Sequence, residues 1–243
     1  MAEFRSWRSY WDFKSSVSST NRYIFSTDIQ EFLDTILFTS KKRQTKFPRN
    51  TILWRAQIGC REPFDENDVD DIPYEFERMK PIEYRAVEGR ANPKGIPYLY
   101  LATDKNTAMA EVRPWKGQRI SLGLFRVTKI LNVVDFSPKL VNPPVYFKET
   151  TPENREESVW AWMNDAFSQP TTASDDIAAY AATQIIAEMF KNNGADGIVY
   201  RSSLGDGDNI MLFDLKSAEI VNCAVYIVDE LHFEFKPCAL GLP

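Results

Sequence analysis

The apolar residues of segment 27–37 recur three and four positions apart, which places them on one face of a helix. They form a single stripe: Ile29, Phe32, Leu33, Ile36 and Leu37. Thr27 and Gln30 have the spacing of a capping box at its start. The pattern predicts a helix that must bury this stripe against the rest of the chain.

A second helical pattern begins at Ser174 and ends at Asn193-Gly194, a typical helix stop. Its apolar side contains Ile177, Tyr180, Ala181, Ile185 and Met189. Tyr180 and Gln184 lie one turn apart on it, and we expect helix packing there in preference to a shared ligand contact. Near the N-terminus, four aromatic residues between 7 and 13 precede a polar stretch, Ser15 to Asn21, that predicts a loop.

Short apolar runs elsewhere predict buried strands. They lie at 51–56, 98–102, 120–127, 131–136, 197–200, 210–215 and 219–228. Thr103 or Asp104 can cap a short helix that reaches Val112. Residues 61–81 and 138–152 are rich in proline and predict connections, whereas His232, in the apolar run 231–235, is predicted to lie in a strand.

Strands that alternate irregularly with helices, without an internal repeat or a long linker, indicate one α+β domain. Residues 1–45 are predicted to be a helical extension packed on the core, and residues 46–243 to be the catalytic domain. Apolar residues make up 44% of the chain, which is sufficient for a sizeable core.

The formal net charge of −5 argues against a broad surface for nucleic acid or anionic membrane. No apolar run is long enough to span a bilayer, and the start of the chain is unlike a signal peptide, so a cytoplasmic protein is expected. Cys60, Cys223 and Cys238 are widely spaced, and with one histidine they suggest neither disulfides nor a metal site.

Four segments together resemble the RES-domain family. They are WRA at 54–56, GRANPKG with YLYLATDKNTAMAEVRP at 89–114, YAATQIIAEMFKNNGADGIVY at 180–200, and RSS followed by GDN at 201–209. The resemblance implies a mixed sheet similar to that of ADP-ribosyltransferase toxins. It also implies an NAD⁺ glycohydrolase or phosphorylase, with NAD⁺ as substrate and no other cofactor, that in some members is the toxin of a toxin–antitoxin pair.

The same resemblance assigns roles to six residues of this chain. Glu111, Arg55 and Ser202 fall on catalytic positions of the family, while the substrate-binding positions are Arg90, Tyr100 and Asn209. Ser203 is an alternative to Ser202, because the two serines are adjacent. Tyr98 is an alternative to Tyr100, because the two side chains share one face of a strand.

The chemistry of NAD⁺ agrees with these residue types. Cleavage of the nicotinamide–ribose bond develops positive charge at the ribose carbon, which a carboxylate such as Glu111 can stabilise. The guanidinium groups of Arg55 and Arg90 can hold phosphate oxygens bidentately. Ser202 is not expected to be a nucleophile, because no motif places a base beside it.

Other functions stay open at this point. A mono-ADP-ribosyltransferase breaks the same bond but modifies a macromolecule, and the E-x-E pair typical of arginine-directed transferases is absent, since Met109 stands two residues before Glu111. A non-catalytic NAD⁺ sensor or interaction module is a third hypothesis. An antitoxin partner is expected because unrestrained NAD⁺ loss would kill the producing cell. Water or phosphate as acceptor, and a homo-oligomer, are left undecided.

Overall fold

The structure is a computed structural model that describes residues 3–61, 71–137, 144–169, 178 and 180–235. The helix start predicted at Ser174 lies outside these residues, as does Cys238. Eight strands are described: β1 (Gln44–Phe47), β2 (Ile52–Ile58), β3 (Leu99–Ala102), β4 (Arg119–Val127), β5 (Leu131–Asp135), β6 (Gly197–Arg201), β7 (Asp208–Leu212) and β8 (Ala218–Ile227). Five α-helices accompany them: α1 (Ser9–Ser19), α2 (Thr27–Ser40), α3 (Lys105–Glu111), α4 (Pro152–Ser168) and α5 (Ala181–Asn192).

All eight strands belong to one mixed sheet, in the order β1-β5-β6-β7-β3-β2-β4-β8. The β5–β6 pair is parallel and the other pairs are antiparallel. The predicted α+β fold is therefore confirmed. The seven strands predicted between residues 51 and 228 are all present, with ends that shift by a few residues at most.

The sheet separates two apolar layers, as the alternation of side chains along its strands requires. Tyr98 and Tyr100 point toward the layer that contains α1, α2, α4 and α5. Leu99 and Leu101, one position away from them, pack into the other layer. There the end of the connection predicted at 61–81 packs on the sheet, since Met79 is fully buried beside Gly123.

The predicted helix at 27–37 is present as α2, but its cap is not Thr27. The hydroxyl of Ser26 accepts from the backbone N–H of Ile29, so Ser26 is the N-cap and Thr27 is the first helical residue. At the other end of the chain, α5 stops at the predicted Asn193-Gly194, where Gly194 has a φ of 83°.

Two helices were not predicted. The polar stretch expected to be a loop from Ser15 continues α1 as far as Ser19, because Tyr10, Phe13 and Val17 provide a buried helical face. Helix α4 begins at Pro152, with the side chain of Thr151 as its N-cap.

The prediction for His232 is wrong. Segment 231–235 is not a strand, and the His232 side chain is 87% exposed, 3.5 Å from Glu230. An apolar run becomes a strand only when a neighbouring strand can pair with it, and β8 has already ended at Ile227. The division of the chain at residue 45 stays a prediction, and β1, which pairs with β5, crosses it.

Candidate active site

A cavity of about 340 Å³ lies over four neighbouring strands, β6, β7, β3 and β2. Strands β2 and β3 pair at a single position along their described length, Trp54 with Ala102, whereas β2 pairs with β4 from Ile52 to Ile58. The sheet is thus loosely joined where β2 meets β3, and the cavity opens there. Its lining includes most of the polar residues singled out from the sequence: Arg55, Arg90, Tyr100, Glu111 and Asn209.

Arg55 extends from β2 across the junction with β3. Its Nη1 donates to the carbonyl oxygen of Tyr100 at 3.3 Å, while its buried Nε has no hydrogen-bond partner among the described residues. Burial lowers the pKa of Arg55 from its ordinary value, because removal from water disfavours the charged form. An unpaired buried donor costs about 1–3 kcal/mol, so an anionic ligand would be favoured here.

Glu111 is the last residue of α3, and its carboxylate is held firmly. Oε1 accepts from Ser202 Oγ at 2.7 Å and from Asn209 Nδ2 at 2.6 Å. Oε2 lies 4.0 Å from Arg90 Nη2, in a pair whose side chains are 14% and 19% exposed. One oxygen is therefore used for positioning, and the other is left beside a guanidinium in the cavity.

Ser202 and Ser203 have different surroundings. Ser202 is 5% exposed, donates to Glu111 and accepts from the amides of Leu204 and Gly205 at 3.0 and 3.2 Å. Ser203 instead donates to the carbonyl oxygen of Ser168 on α4. Of the two serines, Ser202 thus contacts the carboxylate, and its hydrogen bonds give it the geometry of a positioning residue.

Tyr100 and Tyr98 are also distinguished. The Tyr100 hydroxyl donates to Asn92 Oδ1 at 2.8 Å and accepts from the Ala91 amide at 3.1 Å, and its ring lines the cavity. Tyr98 is 1% exposed and packs edge-on against Phe213 in the core. Burial raises the pKa of Tyr100 to about 12, so the hydroxyl stays protonated.

The loop that carries Arg90 is fastened from two sides. Arg90 Nη1 donates to the carbonyl oxygen of Phe167 at the end of α4 at 2.8 Å, and Thr183 on α5 donates to the Arg90 carbonyl. The side-chain amide of Gln184 donates to Glu88 Oε1 at 2.9 Å and to the Gly89 carbonyl at 3.1 Å. Gln184 thus packs against this loop, in agreement with the helix packing expected from the sequence. Tyr180 instead lines the cavity.

Several residues that shape the site were missed in the sequence. On α4, Asn164 accepts from the Arg201 amide at 2.9 Å, and Ser168 donates to the Arg201 carbonyl at 2.5 Å, so the end of β6 is fixed just before Ser202. Their spacing of four places them on one side of a helix, but nothing in the local sequence shows that this side faces the end of β6. Tyr200 and Trp54 complete the aromatic lining of the cavity.

Two features are absent from the described residues, a cluster of metal ligands and a membrane-spanning helix. No group of three or more His, Cys, Asp and Glu side chains there could hold a metal ion. No helix in the described part of the chain is long and apolar enough to cross a membrane.

The fold and the cavity define an α+β protein whose sheet carries a cleft lined by one carboxylate and two guanidinium groups. The sequence profile of the RES domain matches residues 52–236, and the chain belongs to the RES-domain family. Membership supports an NAD⁺-related, toxin-like function.

Similarity to individual proteins is more distant. Among solved structures, a chain of the crystal structure of the M. tuberculosis MbcT–MbcA toxin–antitoxin complex is 16% identical, with a TM-score of 0.40. The similarity covers 79% of this chain and 92% of that one. A comparison with curated proteins found no match.

Proposed function

We propose that the protein binds NAD⁺ in this cavity and cleaves its nicotinamide–ribose N-glycosidic bond, with water or phosphate as acceptor. The observation that carries the proposal is the Glu111 carboxylate, fixed through Oε1 by Ser202 and Asn209 and open through Oε2 to the cavity. A carboxylate held in this way is preorganised to stabilise positive charge, and it need not move when that charge develops.

The reaction requires that the bond between ribose C1″ and the nicotinamide nitrogen break and that its electron pair pass to that nitrogen, which neutralises the pyridinium charge. Positive charge then develops on the ribose, where Glu111 Oε2 stabilises it. Water attacks with loss of a proton to give ADP-ribose, or phosphate attacks to give ADP-ribose-1″-phosphate. Ser202 does not attack the ribose carbon, because its hydroxyl donates a hydrogen bond to Glu111 and its oxygen accepts hydrogen bonds from two backbone amides.

Arg55 and Arg90 supply positive charge in the cavity of a protein whose formal net charge is −5. The Nε of Arg55, which has no partner among the residues that the structure describes, suits a pyrophosphate oxygen. Arg90 is fixed by the carbonyl of Phe167 so that it can orient the substrate beside Glu111. The Tyr100 ring forms a wall for the nicotinamide, while its hydroxyl supports the Arg90 loop.

The product mixture tests this proposal. Purified protein is incubated with NAD⁺, with and without phosphate, and nicotinamide, ADP-ribose and ADP-ribose-1″-phosphate are resolved by chromatography. Release of nicotinamide with ADP-ribose indicates a glycohydrolase, and phosphate-dependent formation of the phosphorylated product indicates a phosphorylase. Absence of nicotinamide from a folded sample free of inhibitor contradicts the proposal, and label transferred from NAD⁺ to protein or RNA in a lysate would favour a transferase.

We also propose that the protein acts as a toxin that a cognate antitoxin protein neutralises. Family membership supports this role, and an enzyme that consumes NAD⁺ without restraint would stop the growth of the cell that makes it. Expression of the wild-type protein should deplete cellular NAD⁺ and arrest growth. Normal growth, with an active soluble enzyme and unchanged NAD⁺, would contradict the toxin role and leave the reaction untouched.

A further inference from the structure

The turn between β6 and β7, residues 203–207, packs on the first turn of α3 through hydrogen bonds. Thr107 Oγ1 accepts from the Gly207 amide at 3.0 Å and donates to Asp104 Oδ2 at 2.6 Å. Thr103 Oγ1 accepts from the Asp208 amide at 2.9 Å. Asp104 also caps α3, because its Oδ1 accepts from the Asn106 and Thr107 amides, both at 2.9 Å.

The two glycines of this turn permit the contact. A Cβ atom on Gly207 would collide with Asp104 Oδ2, and one on Gly205 would come too close to Thr107 Oγ1. These glycines therefore serve a close approach of the turn to α3. The segment Gly205-Asp206-Gly207-Asp208 therefore fits closely against the start of α3.

The contact lies one helical turn from the carboxylate proposed to act in the reaction. Thr107 and Glu111 are four residues apart and lie on the same side of α3. The turn between β6 and β7 is flanked by Ser202 and Asn209, the two residues that hold Glu111 Oε1. The same two pieces of chain are thus joined at both ends of α3.

A helix of this length cannot keep its own direction. Helix α3 spans Lys105–Glu111, which is well below the length at which a helix is stable without tertiary contacts. Its orientation must come from its anchors, and Thr107, which is fully buried, provides the anchor at its start. A displacement of about 1 Å at a reacting group can cost about 100-fold in rate.

We propose that Asp104 and Thr107 are positioning residues for Glu111, acting through the turn 203–207. This inference rests on the proposed cleavage of NAD⁺ at Glu111. Arg55 and Arg90 are held by separate contacts, with Tyr100 and with Phe167. Asp104 and Thr107 therefore affect the chemical step and leave substrate binding in place. Loss of the Thr107 hydroxyl should therefore lower kcat and leave KM nearly unchanged.

Thr107→Val, which keeps the shape and removes the hydroxyl, tests the inference. We expect kcat for nicotinamide release to fall at least about tenfold with KM within about twofold, and Thr107→Ser, which restores a hydroxyl, to recover most of the loss. Thr39→Val is the matched control: Thr39 is equally buried, binds Trp160 Nε1 at 3.2 Å and lies outside the cavity lining. It should lose stability and keep its kcat.

The inference would be overturned if Thr107→Val kept the wild-type kcat, or if Thr39→Val lost as much kcat as Thr107→Val. It would also be overturned if KM of Thr107→Val rose by as large a factor as kcat fell. If Thr107→Val does not fold, Asp104→Asn gives the same readout. Asparagine can keep the capping oxygen of Asp104 and loses the oxygen that accepts from Thr107.

Amide hydrogen exchange separates this inference from the reaction itself. In Thr107→Val the Gly207 amide should exchange at least about tenfold faster, and so should the Leu204 and Gly205 amides, which bind Ser202 Oγ. Faster exchange at Gly207 alone would show that the contact does not reach Ser202 and would overturn the inference. If the wild-type protein released no nicotinamide, the proposed reaction would fail, and exchange would still decide whether Thr107 holds Ser202.

Discussion

Arg55 combines a positive charge with a donor that lacks a protein partner among the described residues. Its planar guanidinium can bind the Tyr100 carbonyl with one nitrogen and a phosphate oxygen with another. A lysine keeps the charge and loses this fork. The difference between the two side chains is therefore a direct test of substrate binding.

Arg55→Lys should raise KM for NAD⁺ about tenfold or more, with a smaller change in kcat, because the lost contact holds the substrate in the ground state as well as in the transition state. Steady-state kinetics of nicotinamide release measure both constants. Arg126→Gln is the control, since Arg126 is an exposed residue of β4 that pairs with Glu219. An unchanged KM in Arg55→Lys would remove Arg55 from the binding site.

Tyr100→Phe should destabilise the protein by about 1–3 kcal/mol, because it leaves the Ala91 amide and Asn92 Oδ1 without their partner. Tyr98→Phe is the matched control. Tyr98 lies two residues before Tyr100 on the same side of the sheet, and the Tyr98 hydroxyl has no hydrogen-bond partner among the described residues. It should change the free energy of unfolding by less than about 0.5 kcal/mol. Denaturant titration compares the two variants, and equal losses would contradict the separate roles given to these tyrosines.

Helices α4 and α5 hold the loop and strand end that carry the site residues. The end of α4 binds Arg90 and fixes the chain before Ser202, and α5 holds the loop of Arg90 through Thr183 and Gln184. Neither helix contributes a charged group to the cavity lining, and both set where those groups stand.

Gln184→Leu should loosen the Arg90 loop, because the carbonyl of Gly89 and the carboxylate of Glu88 lose their donor. We expect a loss of about 1–3 kcal/mol in unfolding free energy, together with a higher KM for NAD⁺. Gln30→Leu, on the exposed side of α2, should leave both nearly unchanged. A Gln184→Leu variant with wild-type stability would contradict the role of α5 as a support for this loop.

The sequence revealed elements best where one apolar pattern decides the structure. Helix α2 and the strands are of this kind, because burial of a regular face requires a single conformation. Helix α4 escaped notice because its buried side includes Ser158, Asn164 and Ser168. Serine hydroxyls there bind carbonyls of their own helix, so a polar residue is buried at little cost and the apolar stripe is interrupted.

The candidate site was likewise predictable from the sequence only in part. The resemblance to the RES-domain family was enough to predict that Arg55, Arg90, Tyr100, Glu111 and Asn209 lie together, as they do in the cavity lining. The support from Asn164 and Thr183 was not visible, because it depends on how α4 and α5 cross the sheet. Such contacts are between residues far apart in the chain, and local periodicity does not encode them.

The whole molecule is acidic, with a formal net charge of −5, yet its cavity contains two guanidinium groups and one carboxylate. The cavity lining thus has an excess of positive charge, which suits an anionic substrate. The N-terminal helices α1 and α2 pack in one apolar core with α4 and α5, the two helices that support this site.

Phe13→Ala should therefore reduce the stability of the entire protein by about 3–5 kcal/mol. Phe13 is 1% exposed and stacks on Phe32 with ring centroids 4.9 Å apart. Unfolding followed by circular dichroism and by tryptophan fluorescence should keep one shared transition. Phe38→Ala, at a 43% exposed position of α2, should cost little. Two separate transitions, with only the first shifted, would show that residues 1–45 fold independently of the core.

Glu111→Gln tests the central claim most directly. Glutamine keeps the shape of the side chain and an oxygen that can accept from Ser202 and Asn209, and it removes the negative charge beside the cavity. Nicotinamide release from NAD⁺ should fall by about 100-fold or more, with NAD⁺ binding by calorimetry retained, because the lost interaction is strongest in the transition state. Wild-type nicotinamide release by a folded Glu111→Gln protein would contradict the account.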